Sequence, residues 1–72
     1  MKKILFNYSK LKGRITEICG TKKVFAKELG ITEGTLISKL NSNTYFTQGE
    51  ILRAIEILRI PQEEVSLYFF TV

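Results

Sequence analysis

Lys22 and Lys23 directly follow Thr21, and this run of three holds the clearest binding chemistry in the chain. A threonine hydroxyl can accept a hydrogen bond from the first turn of a helix and so mark its start. A helix start presents free backbone N–H groups and the positive end of the helix dipole, so two lysines there suit an anion such as phosphate. Lys39, Asn41, Ser42 and Asn43 form a second group of cation and hydrogen-bonding side chains. Catalytic chemistry has far less support. Glu63 and Glu64 are adjacent, but they follow Pro61, where the first turn of a helix favours negative charge. The chain has no histidine and one cysteine, so neither a triad nor a metal-ligand spacing can be drawn from it. The expectation is a binding protein that is not an enzyme and needs no cofactor or metal.

The charge is unevenly placed. Residues 1–41 carry nine Lys/Arg against three acids, giving +6, whereas residues 42–72 carry two arginines against four glutamates, giving −2. A basic half on an otherwise balanced chain suits a polyanionic partner, although lysines also serve only to keep a surface solvated. The lone Cys19 lies in the apolar run "ITEICG" and reads as a small buried hydrophobe suited to a reducing cytosol. "MKKILF" begins like a signal peptide, but its apolar run is too short for one, and no segment reaches the length of a membrane span. A cytoplasmic protein with no membrane contact is expected.

The elements that must position these groups are helical. Ser9 is a candidate N-cap for a helix to about Cys19, with Leu11, Ile15 and Ile18 on one stripe and Gly20 as its stop. Thr21 caps a helix over about 22–29, with Val24, Phe25 and Leu29 inward and Ala26 on an adjoining face. Gly30 closes it, Ile31 leads inward, and Thr32 caps a third helix over 33–40 anchored by Leu36 and Leu40. "NSNTYF" is a polar loop ending on two aromatics. "TQGE" then has the form of a capping box before a fourth helix over about 48–59, whose apolar face is Ile51, Leu52, Ile55 and Leu58. Pro61 starts a short fifth helix in "PQEEVSLY". The ends, "KILFNY" and "LYFFTV", are rich in aromatic and β-branched residues and either cover the core or pair as two short strands. The fold class expected is all-α, a four- to five-helix bundle with or without short terminal strands, in one domain over residues 1–72.

Two short helices joined at a glycine are the helix-turn-helix pattern. "VFAKELGITEGTLISKLN" resembles the phage Cro and repressor type of helix-turn-helix protein, within the xenobiotic-response-element-like superfamily. The flanking "YSKLKGRITEICGTKKVFAKELG" and "YFTQGEILRAIEIL" are similar to a small phage-associated branch of it, so the resemblance covers about residues 8–70. It implies a lambda-repressor-like bundle with the motif at about 22–40, and a second motif helix that lies in the major groove of double-stranded DNA. One departure is that the position nine after Gly30, commonly buried in such proteins, is Lys39, which shifts the inner anchor to Leu40.

Carried onto this chain, the base-contacting positions are Glu33, Gly34, Thr35, Ile37 and Ser38. Glu33 either accepts from a cytosine amino group or strengthens the first turn through the dipole. Gly34 either allows close approach to the groove floor or is a tolerated weak residue at a helix start. Thr35 and Ser38 can reach a base or a phosphate, or bond back within the helix. Ile37 suits a thymine methyl or packs beneath the following loop. The phosphate-contacting positions are Thr21, Lys22, Lys23, Lys39, Asn41, Ser42 and Asn43.

The function expected is that of a sequence-specific, double-stranded-DNA-binding transcriptional regulator with no small-molecule ligand. The rival is a protein-interaction or recombination-accessory module of the same fold, antitoxin- or excisionase-like. One motif helix reads few base pairs, so a homodimer is expected on DNA. Tyr68, Phe69 and Phe70 are the candidate interface, unless they cap the core together with Leu5 and Phe6.

Overall fold

The computed structural model describes residues 5–72. Five α-helices follow in order: α1 Ser9–Cys19, α2 Lys22–Leu29, α3 Glu33–Leu40, α4 Gln48–Leu58 and α5 Val65–Phe69, the last continuing from one 3-10 turn at Gln62–Glu64. Among the described residues there is no strand. The two ends nevertheless meet, because the Asn7 N–H donates to the Thr71 carbonyl at 2.6 Å.

The helix starts follow local chemistry. Thr21, Thr32 and Thr47 are extended N-caps whose hydroxyls accept from Val24, Thr35 and Glu50 N–H respectively. The Glu50 carboxylate also accepts the Thr47 N–H at 2.8 Å, which completes the capping box. Ser9 departs from expectation. It is the first helical residue, Tyr8 holds the cap position, and the Asn7 side-chain oxygen accepts the Ser9 N–H at 2.9 Å.

The helix ends are more varied. Gly30 adopts φ 88°, a left-handed conformation that costs glycine little. Its N–H and that of Ile31 both return to the Ala26 carbonyl, which closes α2 tightly and turns Ile31 toward the core. α4 has no glycine stop. Arg59 takes the left-handed position at φ 54°, and Arg14 of α1 compensates: its Nε donates to the Leu58 carbonyl at 2.9 Å and a terminal nitrogen donates to the Arg59 carbonyl at 3.1 Å.

The core joins all five helices through Leu11, Ile15, Phe25, Ala26, Leu29, Leu36, Leu40, Ala54, Leu58 and Phe69, with Tyr8, Phe46, Ile60 and Tyr68 closing its ends. Three apolar residues expected inside are outside. On α1 the inward line runs Leu11, Ile15, Cys19 at i, i+4, i+8, and Ile18 falls at its edge, 42% exposed. Val24 stands in the first turn of α2, while Phe25, Ala26 and Leu29 take the buried side. On α4, Ala54 faces the core between Ile51, Ile55 and Leu58, and Leu52 is 64% exposed. Leu52 is the residue expected on the apolar face of α4, and Ala54 takes the buried position instead.

Candidate nucleic-acid interface

α2 and α3 are held at a fixed angle by the Gly30 turn and by Phe25, Leu29 and Leu36 beneath it. Their outer side gathers most of the groups singled out in the sequence. Thr21, Lys22 and Lys23 are all exposed at the start of α2, with Lys27 exposed one turn on. The Thr21 hydroxyl is engaged as a cap at 3.2 Å from the Val24 nitrogen, so the lysines and the free N–H groups of the first turn are what this end offers a ligand.

On α3, Glu33, Gly34, Thr35 and Ile37 are exposed and Ser38 is half-buried, so the five positions share the outward side of one short helix. The Thr32 hydroxyl accepts the Thr35 N–H at 3.1 Å and donates to the Thr35 hydroxyl at 2.8 Å. The Thr35 hydroxyl is thus held beside the Thr32 cap, at the exposed first turn of α3. A Cβ built on Gly34 meets nothing within 4 Å, so nothing in the chain's own packing requires glycine there.

Two proposed phosphate contacts are overturned. Lys39 is only 6% exposed, and its Nζ pairs with Glu50 Oε1 at 2.9 Å, donates to the Tyr45 carbonyl at 3.0 Å and lies 5.8 Å from the centre of the Phe46 ring. A cation spent on three internal partners cannot also clamp a phosphate. Position 39 is thus buried, as the resemblance would have it, but by a paired lysine, and Leu40 is buried beside it. Ser42 is 2% exposed, sits at φ 62°, and its hydroxyl accepts the Phe6 N–H at 3.1 Å. Asn41 and Asn43 stay at the surface after α3.

Glu50 lies under opposing influences. Burial pushes its carboxyl up, but the Thr47 backbone N–H and the hydrogen bond and charge of Lys39 outweigh that and hold it below the ordinary value. Burial, aided by Glu28, pushes the Cys19 thiol up, which disfavours the reactive thiolate.

The aromatic tail divides. Tyr68 and Phe69 are buried in the core, so neither is available to a second copy, and Phe70 alone is exposed, at 55%. Two of the three make edge-on ring contacts: Phe69 meets Phe46 at 5.5 Å, which in turn meets Tyr8 at 5.7 Å, and Phe70 meets Phe6 at 6.3 Å. Lys10 lies 5.2 Å from the centre of the Tyr68 ring. No helix among the described residues is long and apolar enough to cross a membrane.

Among the described residues the fold is all-helical, with two short helices set across a left-handed glycine turn and an exposed lysine pair beside it, which defines a small helical protein. Residues 4–72 match the family described as "Protein of unknown function (DUF739)", and the chain belongs to that family. No curated protein matches it. Among solved structures it is similar to the modulator of repression (MOR) of the temperate bacteriophage TP901-1 from Lactococcus lactis, with 38% identity and a TM-score of 0.79, over 96% of this chain and 93% of that one.

Proposed function

We propose that this chain is a phage regulatory protein of the cytoplasm that modulates repression, and that it works by laying the outer side of α2 and α3 on double-stranded DNA. The likeness to a phage modulator of repression supports the regulatory role. The Cro- and repressor-like character of residues 24–41 belongs to the same proposal. The observation that carries the DNA contact is the exposed Lys22–Lys23 pair at the Thr21-capped start of α2, next to the exposed first turn of α3. The role is one of binding, with no catalytic step.

Affinity in this reading is led by phosphate. Within residues 33–40 the exposed and half-exposed side chains are Glu33, Thr35, Ile37 and Ser38, with no Arg, Asn or Gln, and the one Lys is buried. Those absent types make the strong bidentate base contacts. Discrimination by one copy would rest on the Thr35 hydroxyl, the Glu33 carboxylate and apolar contact from Ile37. That is modest, and it fits a modulator acting beside a repressor better than a sole reader of an operator. Of the three aromatics expected at a homodimer contact, Phe70 alone could serve a two-fold pair on DNA.

The same inventory favours a second reading, a protein-interaction module that contacts a repressor rather than its operator. Val24 and Ile37 are both exposed on the motif helices, and an apolar outer side is what a protein partner would cover. Retention on duplex DNA across a salt series separates the two. A steep fall in log affinity with log salt, flattened by Lys22→Ala and Lys23→Ala, supports DNA. No retention at low salt, together with binding to a purified phage repressor that depends on Ile37, supports the protein partner.

A further inference from the structure

Lys39 belongs to α3 but is buried, so it reaches no ligand of the α2–α3 side directly. Its Nζ meets three groups from beyond α3: Glu50 Oε1 in the first turn of α4 at 2.9 Å, the Tyr45 carbonyl in the connecting loop at 3.0 Å, and the Phe46 ring. The loop also bonds back onto α3. The Ser42 N–H donates to the Lys39 carbonyl at 3.0 Å, and the Asn43 N–H donates to the Ser38 carbonyl at 2.9 Å. The last turn of α3, the loop and the first turn of α4 are thereby one hydrogen-bonded unit.

The Gly30 turn and the core beneath it hold the start of α3. Its far end has less support. Among the described helices α3 packs broadly on α2 alone, whereas α4 packs on both α1 and α2. Polar contacts supply the link from α4. Glu50 and Arg53 stand three residues apart, on one side of that helix. Glu50 reaches the end of α3, and Arg53 Nε donates to the Glu28 carbonyl in the last turn of α2 at 3.3 Å. The Arg53 contact is exposed, whereas the Lys39–Glu50 pair is shielded from water, so the pair is the stronger tether. An apolar side chain at position 39 would fill the same space without desolvating a charge. A lysine there has to meet a carboxylate and a carbonyl at once. Those bonds are directional, so they select one arrangement of α3 on α4 where an apolar contact tolerates several.

We propose that Lys39 and Glu50 are positioning residues for the α2–α3 side: their pair sets the angle at which α3 is presented to duplex DNA, although neither side chain touches it. The inference rests on the DNA reading given above. In that reading Thr35 faces the bases. It lies one turn before Lys39, about 6 Å along the helix axis, so a tilt at the C-terminal end of α3 is passed to it. A displacement of about 1 Å is enough to lose a hydrogen bond that must be held near 3 Å.

The test uses the full chain, a duplex selected by the wild-type protein from a random library, and an unselected duplex, each across a salt series. Lys39→Met and Glu50→Gln are each expected to weaken binding to the selected duplex about tenfold, while binding to the unselected duplex stays within about twofold and the salt slope is unchanged. Lys39→Arg, which keeps a cation for Glu50, is expected to recover most of the selected affinity. Glu50→Gln keeps a side-chain oxygen for the Thr47 N–H, so it carries the test if Lys39→Met does not fold by circular dichroism. An equal fall on both duplexes would make the pair a matter of stability alone, and a salt slope lowered by about one would make Lys39 a direct phosphate contact; either overturns the inference. Folded variants that match wild type on the selected duplex would overturn it while the DNA reading stands. No wild-type retention on any duplex would overturn both.

Discussion

Lys39 Nζ stands 2.9 Å from Glu50 Oε1, and this pair ties the last turn of α3 to the first turn of α4. The lysine side chain is 8% exposed and the carboxylate 20%, so the contact is largely shielded from water. Glu50 also caps α4 through Thr47, so one carboxylate sets both the start of α4 and its junction with α3. α3 is therefore tied at its C-terminal end by a charge pair and begun at its N-terminal end by the Thr32 cap.

Removing one partner of a shielded pair leaves the other uncompensated. Glu50→Ala should cost about 3 kcal/mol, and Lys39→Met should cost less, since an apolar stem can fill the same space. Urea denaturation at neutral pH measures both, and equal stability of Glu50→Ala and wild type would refute the role given to the pair.

The same pair predicts an acid limb. Glu50 has a folded-state value below the ordinary 4.5, so its contribution is complete above that ordinary value and is lost as pH falls through the lower folded value. Thermal melts from pH 6 downward should show Tm declining below about pH 4.5, and Glu50→Gln should flatten that limb.

Gly34→Ala meets open space and replaces the poorest helix former but one, so it should raise stability by about 0.5–1 kcal/mol. If the first turn of α3 approaches a groove floor closely, the same substitution weakens DNA retention while it strengthens the fold. A variant both more stable and fully DNA-competent would assign Gly34 no part in binding.

Lys22→Ala and Lys23→Ala should each lower the salt slope by about one and weaken binding alike across DNA sequences. Thr35→Val, which keeps the shape and loses the hydroxyl, should change base preference instead, by about 1–3 kcal/mol at one position. Binding-site selection from a random duplex library reads both effects.

Arg14→Met removes the donors that close the end of α4 and leaves the Leu58 and Arg59 carbonyls without them. A loss of about 1.5–3 kcal/mol is expected for hydrogen bonds from a charged donor. Amide exchange should then rise first around residues 58–60.

Much of this protein was decided by contacts within a few residues, and those were legible. Thr21, Thr32 and Thr47 each cap a helix because a hydroxyl needs only the N–H three residues ahead. Gly30 ends α2 because the turn needs a left-handed residue, and the exposure of Lys22, Lys23 and Thr35 follows from helical spacing once Phe25 and Leu36 face inward. Other roles depended on which surfaces meet, and periodicity carries no such information. Lys39 reads as a free cation until α4 brings Glu50 and the Tyr45 carbonyl to it. Ser42 reads as a loop hydroxyl until the Phe6 N–H arrives from 36 residues away. Ala54 is buried while Leu52 stays outside, and Phe69 is buried where its ring meets Phe46 edge-on, which in turn meets Tyr8. For Lys39, Ser42 and Phe69 a long-range partner chose among side-chain roles that the local sequence left open. The physical reason is that burial and ion pairing depend on distance in space, whereas capping and turn formation depend on distance along the chain.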